Sequence, residues 1–371
     1  MQMLKRSCLL LLIYVPSFLL LAQPINQTSF ENFNDKQEFT QTSWQSEGFS
    51  VPFTDGFNQK RAWIDNSVAH TGTKSLRITY PKGGVGPKET GAQAPLKVSP
   101  SNELFMSYYV RFSSNFSWGT YKEGGKLPGL AGGENCSGCI PCTGTNGFTA
   151  RMMWRTDGRA VLYLYHLNKT STCGDDVALK TAEGQDIYFK KGTWYKITER
   201  VKINTDNTKD GEVQVWINDL PTLFLKGLQF VNNGDKVDNL YFSTFHGGNT
   251  SDWGPTEDCY TWFDDLIISS KRTDVLPEGT PDYPQKIRLY KEEITIFPSV
   301  IKSGKKITVT ITDSIALPTK IEFQNQAKDV IRSYQVTEYI QSFEIPYVPA
   351  GNYSLIIRFK DFTVTRPIEV R

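Results

Sequence analysis

Apolar and polar residues alternate along most of the chain, in short runs that glycine, asparagine, aspartate and proline interrupt. A period of two is typical of β-strands with one buried face, whereas the longer period of amphipathic helices is scarce here. The segments with the strand pattern are residues 75–80, 103–112, 147–155, 160–167, 194–204, 212–218, 222–230, 239–245 and 260–270. Their number and spacing predict an all-β domain over residues 23–274, a two-sheet sandwich of the jelly-roll type.

The alternating pattern breaks after residue 274. Residues 275–284 combine several prolines with few apolar positions, which predicts a linker over residues 275–290. Shorter alternating segments follow at residues 293–297, 306–311, 320–323, 341–345, 353–359 and 363–370. They predict a second, small β-sandwich domain over residues 291–371, in which no side-chain cluster suggests catalysis.

The first 22 residues have the composition of a secretory signal peptide. A basic pair, Lys5 and Arg6, precedes an apolar run that begins at Cys8, and the small residue Ala22 follows this run. The run is short for a membrane-spanning helix, and an uncleaved membrane anchor is the alternative interpretation. Without residues 1–22, acidic and basic residues are equal in number, so the charge balance argues against a nucleic-acid partner.

The predicted export bears on the state of the cysteines. The cysteines after the predicted signal peptide are Cys136, Cys139, Cys142, Cys173 and Cys259. Disulfides form in the oxidising compartments that exported proteins enter, and an odd number leaves at least one thiol free or paired elsewhere. The close spacing of the first three would also suit a metal or redox site, but no second cluster has zinc-ligand spacing. We therefore expect a disulfide-stapled loop and no metal.

Residues 147–167 predict a β-hairpin whose three-residue turn ends in glycine. In this register Arg151 lies opposite Tyr163 and Thr149 opposite Tyr165, and the large apolar side chains gather on one face. The other face carries Thr149, Arg151, Met153, Arg155, Arg159, Val161, Tyr163 and Tyr165. Such a face is either simply exposed to solvent or a functional surface of hydroxyl, phenol and guanidinium groups.

A glycine-rich segment, residues 119–133, precedes this hairpin and contains Lys122 and Lys126. Glycine permits unusual backbone angles and a close approach to a ligand, and we expect a mobile loop here. The segment lacks the glycine and lysine spacing of a phosphate-binding loop.

Together, these motifs resemble those of polysaccharide lyase family 14. The matching motifs are Gly125-Lys126-Leu-Pro-Gly-Leu130 followed by Gly132-Gly133, Thr149-x-Arg151, Tyr163-x-Tyr165, Trp194-Tyr195-Lys196 and Phe242 to Gly248. The resemblance covers about residues 103–270 and implies a β-jelly roll that acts on alginate or glucuronan. It implies that the catalytic residues are Lys126, Arg151, Tyr163 and Tyr165. Thr149 stands where the family often has serine, so it keeps the hydroxyl and adds a methyl group.

The implied reaction is β-elimination at a uronic acid, which needs charge neutralisation and proton transfer. The guanidinium of Arg151 can grip the sugar carboxylate through two parallel hydrogen bonds. Lys126, on a loop over the sugar, would add charge or take part in proton transfer, and Tyr163 and Tyr165 would exchange protons if adjacent cations lower their pKa. No cofactor or metal is expected, and the remaining predicted substrate contacts are Thr149, Lys122, His246 and Met153.

The C-terminal segment resembles the sorting domains of type IX secretion in Bacteroidetes. The resemblance lies in Ile296 to Gly304 and in residues 348–358 and 366–371. It implies the type IX secretion machinery as a partner and a secreted or cell-surface location in a Gram-negative bacterium. A carbohydrate-binding module is the alternative interpretation.

These observations predict a secreted monomeric enzyme that cleaves a uronic-acid polymer, alginate or glucuronan, by β-elimination. A non-catalytic, lectin-like protein is the alternative, because aromatic and polar sheet faces also bind sugars. A glycoside hydrolase would need two opposed carboxylates near one cleft, whereas the predicted hairpin face carries cations and phenols.

Overall fold

A computed structural model describes residues 26–282, 294–311, 317–338, 340–359 and 363–371. The predicted signal peptide, residues 1–22, and the second half of the predicted linker, residues 283–290, lie outside these ranges. Within them, no helix is long and apolar enough to cross a membrane.

Residues 26–282 form two antiparallel β-sheets around one hydrophobic core. The eight-stranded sheet contains β1 (Asn26–Thr28), β2 (Ala62–Asp65), β3 (Ser75–Tyr80), β5 (Glu103–Phe112), β10 (Trp194–Lys202), β11 (Gly211–Ile217), β12 (Leu220–Leu228) and β14 (Cys259–Ser269). The six-stranded sheet contains β4 (Ala92–Ser101), β6 (Gly124–Gly132), β7 (Phe148–Arg155), β8 (Ala160–Tyr165), β9 (Asp175–Ala178) and β13 (Val237–Thr244). One short helix, α1 (Gln41–Ser46), precedes β2.

Strands that are distant in the sequence are neighbours in both sheets. The order in the eight-stranded sheet is β12-β11-β10-β5-β14-β3-β2, with β1 beside β14. The order in the six-stranded sheet is β4-β13-β6-β7-β8-β9. This arrangement confirms the predicted all-β sandwich.

Strand β5 shows how sequence alternation produces the two faces. Met106, Tyr108 and Val110 are fully buried in the core between the sheets. Tyr109 and Arg111 alternate with them, point away from the core and are partly exposed. The outer face of this sheet is therefore available for contacts other than core packing.

The predicted mobile loop at residues 119–133 is wrong, because most of it is strand β6 in the middle of the six-stranded sheet. A Cβ atom at Gly129 would stand 2.0 Å from the carbonyl oxygen of Ala150 on β7. A Cβ atom at Gly125 would stand 2.0 Å from the indole ring of Trp154. The glycines are thus needed for the close packing of β6 on β7 and do not mark a loop.

Strands β7 and β8 form the predicted hairpin in the predicted register. Arg151 lies opposite Tyr163, and Thr149 lies opposite Tyr165. The three-residue turn ends at Gly158, whose φ of 81° lies in the left-handed region that favours glycine.

The first part of the predicted linker, residues 275–281, packs against the eight-stranded sheet. Val275 and Leu276 are buried against Trp216, whose indole N–H donates a hydrogen bond of 3.0 Å to the carbonyl oxygen of Pro281. This segment therefore belongs to the packed unit, because it buries apolar side chains that a free linker would expose.

The described residues from 294 onward form two further sheets with their own hydrophobic cluster. The three-stranded sheet contains β15 (Ile294–Phe297), β17 (Lys306–Ile311) and β20 (Ile340–Glu344). The five-stranded sheet contains β16 (Val300–Ile301), β18 (Lys320–Gln324), β19 (Val330–Tyr334), β21 (Gly351–Arg358) and β22 (Thr363–Val370). Strands β17 and β22 have the predicted bounds.

Candidate active site

A cavity of about 930 Å³ lies on the face of the six-stranded sheet that points away from the core. Side chains of β6, β7, β8 and β13 form its floor, and the loops near residues 86–87, 137–139, 173–176 and 247–253 form its walls. The structure brings together in this cavity all four predicted catalytic residues, Lys126, Arg151, Tyr163 and Tyr165.

Lys126 lies at a β-bulge in the middle of the sheet. It pairs with Met153, but the next paired position, Gly129, lies opposite Arg151, so the register shifts between them. A bulge changes the direction of the side chains beside it. The Lys126 Nζ atom is 3.0 Å from the Met153 sulfur and 3.8 Å from the centroid of the Tyr163 ring. Lys126 is therefore positioned by a central strand, whereas the sequence predicted a loop.

The surroundings of Lys126 favour its neutral form. Burial, and after it repulsion from Arg151 and Arg155, lowers the pKa of Lys126 well below its usual value of 10.5. Asp176 has a smaller effect in the opposite direction. The amine is therefore more able to accept a proton near neutral pH than an exposed lysine is.

Arg151 is a buried cation at the centre of the floor. Its side chain is 3% exposed, its Nη1 atom is 3.5 Å from the Ser243 hydroxyl, and its Cζ atom is 5.1 Å from the centroid of the Tyr241 ring. Among the described residues, no carboxylate forms an ion pair with it, and its Nε atom has no hydrogen-bond partner. A buried, unpaired cation costs stability, so this guanidinium is suited to an anionic ligand.

Tyr163 and Tyr165 lie side by side on β8, with their hydroxyl oxygens 3.5 Å apart. The hydroxyl of Tyr165 accepts a hydrogen bond of 2.9 Å from the backbone N–H of Cys139. Burial raises the pKa of Tyr165 to about 12, although the Cys139 N–H and the charge of Arg151 act in the opposite direction. The predicted lowering by nearby cations is wrong for Tyr165, because the cost of burying a phenolate is larger.

Two disulfides hold the wall beside the tyrosines. They join Cys136 to Cys142 and Cys139 to Cys173, which confirms the predicted stapled loop. Cys139 and Cys173 both line the cavity. Among the described cysteines, Cys259 is the free thiol; it is buried in the core, and burial raises its pKa to about 12.

Met153 and Arg155 complete the floor near Tyr163. Met153 lines the cavity, where it was predicted to contact substrate. Arg155 forms an ion pair of 2.6 Å with Asp176, and its Cζ atom is 5.4 Å from the centroid of the Tyr163 ring. Unlike Arg151, Arg155 is therefore already neutralised by a carboxylate.

Lys122 lies at the rim and does not line the cavity. Its Nζ atom is 3.6 Å from Asp252 and 6.0 Å from the ring of Trp253, which does line the cavity. Trp253 lies at the rim of the cavity, and the sequence analysis did not predict it as a site residue.

Two predicted substrate contacts are wrong. Thr149 is fully buried, and its hydroxyl donates a hydrogen bond of 3.1 Å to the carbonyl oxygen of Cys136. His246 is also fully buried, and its Nε2 donates to the carbonyl oxygen of Ser117 at 2.7 Å while its ring stacks on Phe116. Burial lowers the pKa of His246 to about 4. Thr149 fixes the cysteine loop, and His246 packs in the core.

Tyr241 and Gln93 are cavity residues that the sequence did not predict. The Tyr241 hydroxyl donates a hydrogen bond of 3.1 Å to the side-chain oxygen of Gln93. The Gln93 amide donates a hydrogen bond of 2.6 Å to the Asp55 carboxylate. This chain of hydrogen bonds fixes the Tyr241 ring beside Arg151. The alternation within residues 239–245 is a signal for Tyr241, because it places this tyrosine opposite to the core-facing residues.

The charged and polar groups of the cavity suit carboxylate binding and proton transfer. In the described part of the chain, no group of three or more histidine, cysteine, aspartate or glutamate side chains could hold a metal ion. A buried guanidinium, an amine of lowered pKa and two phenols can stabilise negative charge and exchange protons with a bound sugar.

Comparison with known proteins agrees with these features. The family model for polysaccharide lyase 14 matches residues 68–266, more than half of the chain. The structure of alginate lyase Aly36B has 26% sequence identity and a TM-score of 0.56, and the match covers 67% of this chain and 98% of that one. A variant of Aly36B has been solved with an alginate tetrasaccharide.

Two further structures extend the comparison. The marine alginate lyase from Aplysia kurodai has 26% identity and a TM-score of 0.55, covering 68% of this chain and 100% of that one. Alginate lyase vAL-1 from Chlorella virus has 17% identity and a TM-score of 0.50 over 64% of this chain and 100% of that one, which supports the jelly-roll fold alone. No curated protein matches the chain significantly.

The matched region contains all residues that line the cavity, including the four that the resemblance implied to be catalytic. The non-catalytic, lectin-like alternative is set aside, because the family match covers the whole region that carries the cavity floor. The chain belongs to polysaccharide lyase family 14, and it is a polysaccharide lyase.

Proposed function

We propose that this lyase cleaves a 4-linked uronic-acid polymer by β-elimination and that alginate is its preferred substrate. The observation that carries the proposal is the buried guanidinium of Arg151, which has no carboxylate partner among the described residues and lies across from Tyr163. A uronate carboxylate would supply the missing partner through two hydrogen bonds. Alginate is favoured over glucuronan because the structures with 26% identity are alginate lyases.

The reaction breaks the C5–H bond and the C4–O bond, and it needs two proton transfers, one to a base and one from an acid. A base removes the proton from C5 of the uronate, and the electrons of that C–H bond form a double bond between C4 and C5. The bond between C4 and the bridging oxygen breaks, and an acid supplies a proton to the leaving oxygen. Arg151 stabilises the negative charge that develops on the carboxylate as the C5 proton leaves.

Lys126 suits the role of base, and Tyr165 suits the role of acid. The lowered pKa of Lys126 gives its amine a larger neutral fraction, which can accept the C5 proton. Tyr165, with a pKa raised to about 12, keeps its proton at neutral pH and can donate it to the leaving oxygen. Tyr163 contacts Lys126 through its ring and Tyr165 through its hydroxyl, so it links the two proton-transfer groups.

The test is a panel of purified polymers: polymannuronate, polyguluronate, glucuronan and a neutral glucan. Alginate polymers should yield reducing ends together with new ultraviolet absorbance, because the product double bond is conjugated to the carboxylate. Reducing ends without that absorbance would contradict β-elimination. Cleavage of glucuronan but of neither alginate polymer would overturn the choice of alginate and leave the reaction type standing.

We further propose that residues 1–22 direct export and that residues 291–371 are a type IX sorting domain, so that residues 23–274 act outside a Gram-negative cell as a monomer. The composition of residues 1–22 and the motifs of the C-terminal segment support this proposal. In a bacterium with type IX machinery, deletion of residues 291–371 should stop surface delivery and leave the specific activity of the purified lyase unchanged. Undiminished delivery would contradict the sorting role. Light scattering of the secreted enzyme checks its monomeric state.

A further inference from the structure

The outer face of the eight-stranded sheet carries a row of alternating tryptophan and arginine side chains. We name it the Trp/Arg row, and it consists, strand by strand, of Trp63, Arg77, Trp262, Arg111 and Trp194. Each member lies directly opposite the next on a neighbouring strand, so all five project from the same face. All five are partly exposed, whereas the residue after each of them along its strand is buried in the core.

The dimensions of the Trp/Arg row suit an extended polymer. Neighbouring strands are about 4.8 Å apart, so Trp63 and Trp194, on strands β2 and β10, are about 19 Å apart. At the Trp63 end, a cavity of about 320 Å³ is lined by Trp63, Arg77, Asp65 and Lys36, among other residues. The row therefore forms a linear track that ends in a depression.

The two arginines of the row differ in their internal contacts. Among the described residues, Arg111 forms no ion pair, and its Nε atom has no hydrogen-bond partner. Arg77 contacts Asp65 at 3.4 Å and the Tyr260 ring at 5.2 Å. Within the described chain, neither guanidinium stacks on a tryptophan of the row, so the arrangement is not an internally stacked ladder of cations and rings.

Elsewhere on the same outer face, one tryptophan is covered by another segment of the protein. Trp216 on β11 also points away from the core, but residues 275–281 pack over it and bury it completely. In the described structure, no comparable segment buries the Trp/Arg row. Three tryptophans left partly exposed beside arginines indicate a binding surface, because single exposed apolar residues are common but such an ordered group is not.

We propose that the Trp/Arg row is a second, non-catalytic binding site for an acidic polysaccharide. The indole rings would stack on sugar rings, and Arg111 would pair with a carboxylate between them, while Arg77, which also contacts Asp65, would add positive charge. The choice of ligand rests on the proposed function, which gives the enzyme a uronate polymer as substrate. The row lies on one sheet and the catalytic cavity on the other, so a chain held at the row leaves the cavity free. A polymer held at both sites raises the effective concentration of cleavable units.

The test uses Arg111→Gln and Trp194→Ala, each introduced into full-length protein that carries Tyr163→Phe to suppress cleavage. Mobility in native gels that contain alginate measures the affinity for the polymer. Each row variant should bind on the order of fivefold more weakly than the Tyr163→Phe parent. Lys209→Gln, in an exposed turn, and Tyr188→Ala, at an exposed aromatic residue in the segment between β9 and β10, are the matched controls and should bind like the parent.

A second measurement separates the row from the catalytic cavity. With Tyr163 restored, the row variants should keep their kcat/KM on short alginate oligosaccharides within about twofold, because distant sites act independently. Unchanged affinity for polymer in both row variants would overturn the proposal. So would equal retardation by a neutral glucan, or a change in oligomeric mass in Trp194→Ala, which would identify the row as an interface between copies. Retardation by alginate without any unsaturated product would contradict the proposed function but not the proposed binding site at the row.

Discussion

The backbone N–H of Cys139 donates a hydrogen bond of 2.9 Å to the hydroxyl of Tyr165. The disulfide to Cys173 ties the residue that carries this donor to another loop of the cavity wall. The donor favours the negative form of the phenol, against the effect of burial on its pKa. The proton-transfer site thus depends on a covalent link that lies outside the sheet.

Removal of this link should therefore slow catalysis. In a double variant, Cys139→Ser with Cys173→Ser, the N–H remains but is no longer held against Tyr165, and we expect kcat to fall about tenfold. Circular dichroism checks that the sandwich stays folded. The control is Cys136→Ser with Cys142→Ser, because that disulfide does not carry the donor, and it should stay within about twofold of the parent. Full activity in the Cys139 and Cys173 double variant would show that the link is unnecessary.

Loss of either phenol hydroxyl should be more severe. Tyr165→Phe removes the proposed acid, and Tyr163→Phe removes the hydroxyl beside it, so kcat should fall by about 10²-fold to 10⁴-fold in each. Both rings remain to pack against the cysteine loop, so the melting temperature should change little. Tyr188→Phe, at an exposed tyrosine outside the cavity, is the control. If both cavity variants retained full activity, the assignment of proton transfer to β8 would be wrong.

The sequence predicted those parts of the fold that depend on local pattern. The β7–β8 hairpin combines strict alternation with a turn glycine, so its register and its two faces could be predicted. Strand β4 was missed because Pro95 and several small polar residues hide its alternation. Strand β6 was predicted as a loop because of its many glycines. These glycines are needed because Trp154 and Ala150 of the next strand approach β6 closely, which is a tertiary contact.

The sequence predicted the types of residue that form the site, but it did not predict how burial changes their pKa values. The motifs placed Lys126 and Arg151 in one cavity, but burial by the cysteine loop is a tertiary contact, and it sets the pKa of Tyr165. Thr149 was predicted as a contact from strand alternation and the family motif, and His246 from its place before Gly247-Gly248. Their side chains turn instead to backbone carbonyl oxygens that no local pattern identifies.

The charges around Lys126 predict the direction of changes in the pH profile. If the neutral amine is the base, kcat/KM rises with pH through the lowered pKa of Lys126. Arg155 lowers that pKa and Asp176 raises it, so Arg155→Gln should move the rising limb to higher pH and Asp176→Asn to lower pH. Steady-state rates from pH 5 to pH 10 measure both shifts. Shifts in the same direction, or no shift in either variant, would exclude Lys126 as the titrating base.

The buried charge of Arg151 predicts that activity and stability change in opposite directions. Arg151→Met fills a similar volume without a charge, so the free energy of unfolding should rise by about 1 to 3 kcal/mol while kcat/KM falls on the order of 10³-fold. Arg155→Met is the comparison, because it breaks an ion pair with Asp176 and should change stability by less than about 1 kcal/mol. Urea denaturation measures both variants. Clear destabilisation by Arg151→Met would mean that Arg151 has a structural role as well.

A second buried charge, Glu199, predicts how stability depends on pH. Its carboxyl group is fully buried on β10, where one oxygen accepts a hydrogen bond of 3.4 Å from the Leu130 N–H and the other has no described partner. Burial raises its pKa well above the usual value of 4.5. The pKa of Glu199 is therefore higher in the folded protein than in the unfolded chain. The contribution of Glu199 to stability is complete below its unfolded pKa and is lost as pH rises through its folded pKa.

Glu199→Gln keeps the shape and the hydrogen-bond acceptor without an ionisable proton. Its free energy of unfolding should match the parent near pH 4 and exceed it by about 1 to 3 kcal/mol at pH 9, where the parent must keep a buried proton or bury a charge. Glu212→Gln is the control, since Glu212 has an ion-pair partner in Arg200 at 2.8 Å and its loss should bring no gain at alkaline pH. Parallel stability curves for Glu199→Gln and the parent across this range would show that Glu199 titrates as an ordinary carboxyl group.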